Sequence, residues 1–90
     1  MRILLIEDEE KLSLAVKRAL TIQKYVVELA NDGLSGLDLA VGEEFDLIIL
    51  DRMLPEMDGI EICKRIRKAE IFTPILLLTA KGEEIGRAHV

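Results

Sequence analysis

The sequence predicts an α/β domain: a parallel β-sheet doubly wound by helices on both faces. Three observations predict it. The runs ILLI (3–6), LIIL (47–50) and ILLL (75–78) are apolar at every position; strands that do not alternate polar with apolar are covered on both sides. Segments with helical spacing separate these runs, so the order reads β-α-β-α-β-α-β, which implies right-handed crossovers. The length, 90 residues without internal repeat or linker, suits one small unit.

Each element has its own signature. Residues 3–6 form the first strand. In EEKLSLAVKRALTI, Leu12, Ala15, Val16, Ala19 and Leu20 follow the i, i+3, i+4, i+7, i+8 spacing of one buried helix face. YVVELA (25–30) is β-branched but carries Glu28, which suits an edge strand. Asn31 or Asp32 can cap GLSGLDLAV, in which Leu34, Leu37 and Val41 give a stripe that two glycines weaken. Residues 47–50 form the third strand. Asp58 can cap GIEICKRIRKAE, where Ile62 and Ile66 lie four apart, flanked by Ile60 and Cys63. Residues 75–78 complete the series. The first and third strands should be central, because their runs are the most uniformly apolar.

Composition narrows the function. Half the residues are hydrophobic, only 3% are aromatic and there is no Trp, so the core is aliphatic. A net charge of −5 argues against binding nucleic acid or an anionic membrane directly. The single cysteine, Cys63, cannot form an internal disulfide, which fits a reducing cytoplasmic setting, and it reads as a small core residue. The apolar runs are too short to span a bilayer, and the N-terminus lacks the long apolar region of a signal peptide. Lys64, Arg65, Arg67 and Lys68 read as a solvated helix face rather than a nucleic-acid site.

The acidic residues carry the chemistry. In an open parallel sheet, ligands bind outside the carboxyl ends of the strands. Glu7 and Asp8 follow the first strand, Asp51 follows the third, and Thr79 ends the fourth. Like charges so placed repel unless a cation neutralises them, and a hard divalent ion takes a few carboxylates plus water and phosphate oxygens. Taken singly, each has a plainer reading: EDEE can be an acidic first helical turn, Asp51 a turn or cap residue, and Thr79 a strand end. The combination, with Pro55 and Asp58-Gly59 shaping the loop after Asp51, points to a built site.

At these residues the sequence resembles a known family. ILLIEDEE, DLIILDRMLPEMDG and PILLLTAK are similar to the receiver domain of two-component response regulators, in order and at the right separations over most of residues 2 to 83. The wording is most like the branch that carries a C-terminal winged-helix DNA-binding domain. The resemblance implies a flavodoxin-like fold, here (βα)3β with strand order 2-1-3-4. It implies that Asp51 accepts a phosphoryl group from a sensor histidine kinase, and that Asp8, Asp51 and the Met53 backbone carbonyl hold Mg²⁺ with Glu7 acting through water or the second shell. Thr79 would hydrogen-bond the phosphoryl oxygens and shift the loops between two states. The product would be a cytoplasmic switch for transcription rather than a turnover enzyme, reaching DNA only through a C-terminal domain that this sequence lacks.

The sequence also departs from the family. A complete receiver continues through a fourth helix, a fifth strand ending in Lys, and a fifth helix. Lys81 is not that Lys, since it follows the fourth strand. The expected organisation is a partial receiver domain over 1–84 and a non-native tail over 85–90. That tail, IGRAHV, can be encoded by ATC GGA AGA GCA CAC GTC, which resembles a sequencing-library adapter. The family's dimerisation face would be missing, ILLL would be an uncovered edge prone to aggregation, and the chain would be poorly stable and weakly phosphorylated, if at all. Ready, stable labelling of Asp51 by acetyl phosphate with Mg²⁺ would refute the last expectation. Two alternatives stand beside this reading. A Mg²⁺-dependent phosphohydrolase with an Asp nucleophile usually shows D-x-D after the first strand, where this sequence has E-D-E. A receiver-like interaction module that never meets phosphate would have no need of Glu7, Asp8, Asp51 and Thr79 together.

Overall fold

A computed structural model describes residues 1–78, and the elements alternate within them as the sequence predicts. They are β1 (Arg2–Ile6), α1 (Glu10–Ile22), β2 (Val26–Ala30), α2 (Gly33–Gly42), β3 (Leu47–Asp51), α3 (Gly59–Lys68) and β4 (Ile75–Leu78). The strands form one parallel sheet in the order β2-β1-β3-β4. As expected, β1 and β3 lie inside, and β2 is an edge strand with Glu28 opposite Leu4.

Successive strand residues face opposite sides of a sheet, so each apolar run serves two cores. Leu4, Ile6, Ile48, Leu50 and Leu77 pack with Ile62, Cys63 and Ile66 of α3 and Ala40 of α2. Ile3, Leu5, Val27 and Ile49 pack on the other side with Val16 and Leu20 of α1. The buried faces of α3 and the placement of Cys63 match the sequence reading. Arg67 does not belong to a solvated face. Its guanidinium donates to the carbonyls of Ile71 and Thr73, at 2.9 and 2.8 Å, and closes the turn into β4.

Two helix faces differ from expectation. In α1 the fully buried residue is Ser13, while Leu12, Ala15 and Ala19 are exposed. Glu9 fixes the helix start, its side chain accepting the Leu12 N–H at 2.7 Å. The Ser13 hydroxyl donates to the Glu10 carbonyl, so a small polar residue can lie against the sheet without an unmet hydrogen bond. In α2 two residues of the predicted stripe, Leu34 and Val41, are more than half exposed, Leu37 is half-buried against the core, and Gly33, Gly36 and Ala40 are buried. The glycines that weaken this helix are its contact face. A Cβ on Gly36 would lie 2.5 Å from Cδ1 of Ile6, so the missing side chain is what lets α2 approach the sheet.

The ends of α1 and α3 share a device. Tyr25 N–H donates to the Leu20 carbonyl and Ile71 N–H to the Ile66 carbonyl, with Lys24 and Glu70 between at φ 73° and 64°. These are Schellman closures, in which glycine usually holds the left-handed position. Lys24→Gly and Glu70→Gly are each expected to raise the urea midpoint, by about 0.5–1 kcal/mol of stability, because the left-handed penalty of a side chain exceeds the entropy glycine adds to the unfolded chain.

Candidate functional site

Register brings the acidic residues together. Ile6 pairs with Leu50 across the inner strands, so Glu7, the first residue past β1, stands level with Asp51, the last residue of β3. Glu7 and Asp8 are consecutive and would face opposite sides if the chain stayed extended. Instead, β1 ends at Ile6 and the main chain bends. Glu7 N–H donates to the Ala30 carbonyl and the Asn31 side-chain amide donates to the Glu7 carbonyl, both at 3.0 Å. The Glu7 carboxylate in turn accepts the Glu9 N–H at 3.0 Å. After this bend one carboxylate oxygen each of Glu7, Asp8 and Asp51 lies within 4.8 Å of the other two. Glu7 is buried, Asp51 is half-buried and Asp8 faces solvent.

The electrostatics of the cluster are those of like charges brought close together. Burial pushes the Glu7 carboxyl above the usual range; the Glu9 N–H opposes this, while the charge and hydrogen bond of Asp51 and the charge of Asp8 add to it. Three converging carboxylates offer only oxygen donors and leave one exposed side for water or a ligand oxygen. That donor set suits a small hard dication such as Mg²⁺, which uses a few carboxylates and keeps several water or phosphate oxygens.

The loop after β3 is held from several sides. Asp51 Oδ1 accepts the Met53 N–H at 3.0 Å, which orients the carboxylate. Arg52 N–H donates to the Leu78 carbonyl and Gly59 N–H donates to the Arg52 carbonyl, each at 2.9 Å. Asp58 caps α3 by accepting the Ile60 N–H at 2.9 Å, and lies 3.7 Å from Nε of Arg52. A Cβ on Gly59 would sit 2.7 Å from the Asp51 carbonyl oxygen, so only glycine lets α3 begin this close to the end of β3.

Of the sequence-predicted site residues, Glu7, Asp8 and Asp51 converge, and Met53 stands beside Asp51 through its backbone with its side chain exposed. Thr79 lies outside the described residues, as do Lys81, the division after 84 and the tail 85–90. EDEE divides between the two readings given to it: Glu7 and Asp8 join the cluster, while Glu9 and Glu10 serve the start of α1. Of the two possible caps for α2, Asp32 fills the role, accepting the Ser35 N–H at 2.8 Å. Asn31 holds Glu7 instead. The sequence signalled only that one of the pair caps a helix, so this role was not legible.

The sequence pattern described as "Response regulator receiver domain" matches residues 3–90. The response regulator ArlR of Staphylococcus epidermidis is 47% identical over 81 residues, which cover 90% of this chain and 36% of ArlR. The transcriptional regulatory protein TcrA of Mycobacterium tuberculosis is 42% identical over 87 residues, covering 97% of this chain and 34% of TcrA. The chain thus spans about a third of the length of these curated relatives. Among solved structures, the response regulator protein TrrA of Thermotoga maritima, in complex with Mg²⁺-BeF, superposes with a TM-score of 0.84 at 33% identity, over 90% of this chain and 70% of that one.

Proposed function

This chain belongs to the response regulator receiver family, and from that premise we propose that Asp51 accepts a phosphoryl group from a sensor histidine kinase. The observation that carries the reading is the convergence of Glu7, Asp8 and Asp51 where the inner strands end. A carboxylate oxygen of Asp51 attacks phosphorus; the new O–P bond forms as the P–N bond to the kinase histidine breaks. The electron pair stays on the imidazole nitrogen, which then takes up a proton. The Met53 N–H fixes one Asp51 oxygen and leaves the other to react. Mg²⁺, held by Asp8, Asp51 and the Met53 carbonyl with Glu7 behind water, would neutralise charge and let one anion approach another. Thr79 would donate a hydrogen bond to the phosphoryl oxygens and carry the change of state into the loops.

The TrrA complex with Mg²⁺-BeF supports the choice of cation. The relatives TcrA, a transcriptional regulatory protein, and ArlR, a response regulator, support a role in controlling transcription through an attached DNA-binding domain. The chain would work in the cytoplasm as a switch rather than as a turnover enzyme; no described helix is long and apolar enough to cross a membrane.

Incubation with labelled acetyl phosphate tests the reading. Wild-type chain is expected to take up a weak, acid-stable, hydroxylamine-labile label in Mg²⁺ and none in EDTA, and Asp51→Asn to take up none in either. Equal labelling of Asp51→Asn, or labelling indifferent to EDTA, would overturn it.

A further inference from the structure

The bend that gathers the acidic cluster is held by a residue outside it. β2 stops at Ala30, whose carbonyl accepts the Glu7 N–H. In a continued parallel ladder, the next backbone N–H of β2 would meet the Glu7 carbonyl. The chain turns into α2 there, and the side-chain amide of Asn31 supplies the donor, 3.0 Å from that carbonyl and 24 residues away in sequence. The Glu7 peptide is therefore held by β2 at its nitrogen and by Asn31 at its oxygen, just where β1 must leave extended geometry for Glu7 and Asp8 to meet Asp51.

We propose that Asn31 is a positioning residue for divalent-cation binding: it fixes the Glu7–Asp8 peptide so that both carboxylates are aimed at Asp51 before the cation arrives. The inference rests on the proposed role of the acidic cluster and adds to it a residue that touches neither cation nor phosphoryl group. Its neighbour Asp32 does separate work. Asp32 accepts the Ser35 N–H and hydroxyl at 2.8 and 3.1 Å and caps α2, so the two adjacent side chains divide between helix and site. Residues that orient metal-binding groups from behind typically change affinity 10- to 100-fold when removed. The effect falls on affinity because pre-aimed ligands lose less freedom on binding.

The test is a MgCl₂ titration of the full chain, in which the rise in urea unfolding midpoint over its value in EDTA is fitted by mass-action linkage for the Mg²⁺ concentration that half-saturates the folded chain. Asn31→Ala is expected to raise the half-saturating Mg²⁺ concentration by about 10-fold or more, so that its midpoint rise follows the wild-type curve displaced to higher Mg²⁺. Asn31→Asp, which loses the amide donor, should not restore affinity; Asn31→Ser, which keeps a shorter donor, should restore part of it. Asp32→Ala is expected to lower the midpoint in EDTA and leave half-saturation unchanged, since it loosens α2 without touching Glu7. A wild-type response with unchanged half-saturation in Asn31→Ala would overturn the inference and leave the cation site standing. An equal loss of affinity in Asp32→Ala would show a general loosening of the loop and would also overturn it. No Mg²⁺ response in wild-type chain would overturn the cation site and this inference together.

Discussion

Asp8→Asn is expected to cut Mg²⁺-dependent labelling of Asp51 by about 100-fold or more, while making the cation-free chain more stable. The two signs have one cause. Asparagine keeps an oxygen in place but removes one of three converging charges. In EDTA that charge only repels, and with Asp51 it helps raise the Glu7 carboxyl, so its loss relieves the fold. With Mg²⁺ present the same charge would attract the dication that the proposed phosphoryl transfer requires. Urea unfolding in EDTA and acetyl phosphate labelling in Mg²⁺, on the same preparation, check both halves. A variant less stable in EDTA would mean that Asp8 serves the fold, and unchanged labelling would remove it from the site.

Gly59→Ala is expected to destabilise the chain by about 1–3 kcal/mol and to lower labelling of whatever remains folded. The added methyl meets backbone rather than a yielding side-chain end: 2.7 Å from the Asp51 carbonyl oxygen and 2.8 Å from Cα of Arg52. Relief requires α3 or the loop after β3 to move, and that loop is tied by the Gly59 N–H to the Arg52 carbonyl. A domain of this size has only roughly 5–13 kcal/mol in all, so the loss is a sizeable share. Gly42→Ala is the matched control. A Cβ there meets nothing within 4 Å, so that change is expected to be neutral or stabilising by up to about 1 kcal/mol. Equal urea midpoints for the two variants would show that the close approach at Gly59 is unimportant.

The strands were legible because a parallel strand covered on both faces must be apolar at every position, as the runs at 3–6, 47–50 and 75–78 are. The cluster was legible because parallel sheets present their strand ends together, so acids following β1 and β3 had to be neighbours. The helix faces of α1 and α2 were legible only in part: Val16, Leu20 and Leu37 do pack on the core. Counting apolar residues favours Leu12 and Leu34, but contact is decided by how closely a helix can approach, and there Ser13 and Gly36 outrank leucine. Asn31 was hidden for a similar reason. Beside Asp32 it looks like half of a capping pair, and its partner, the Glu7 carbonyl, is a backbone atom that leaves no mark in the sequence.

In the proposed function Asp51 is the nucleophile among the three carboxylates and the other two serve the cation. The most direct measurement is to expose the chain to acetyl phosphate and Mg²⁺, reduce the acyl phosphate with borohydride, and locate the reduced residue by tandem mass spectrometry. Homoserine is expected at position 51, with Glu7 and Asp8 unmodified. A reduced residue at position 7 or 8, or labelled chain with an intact Asp51, would contradict that assignment.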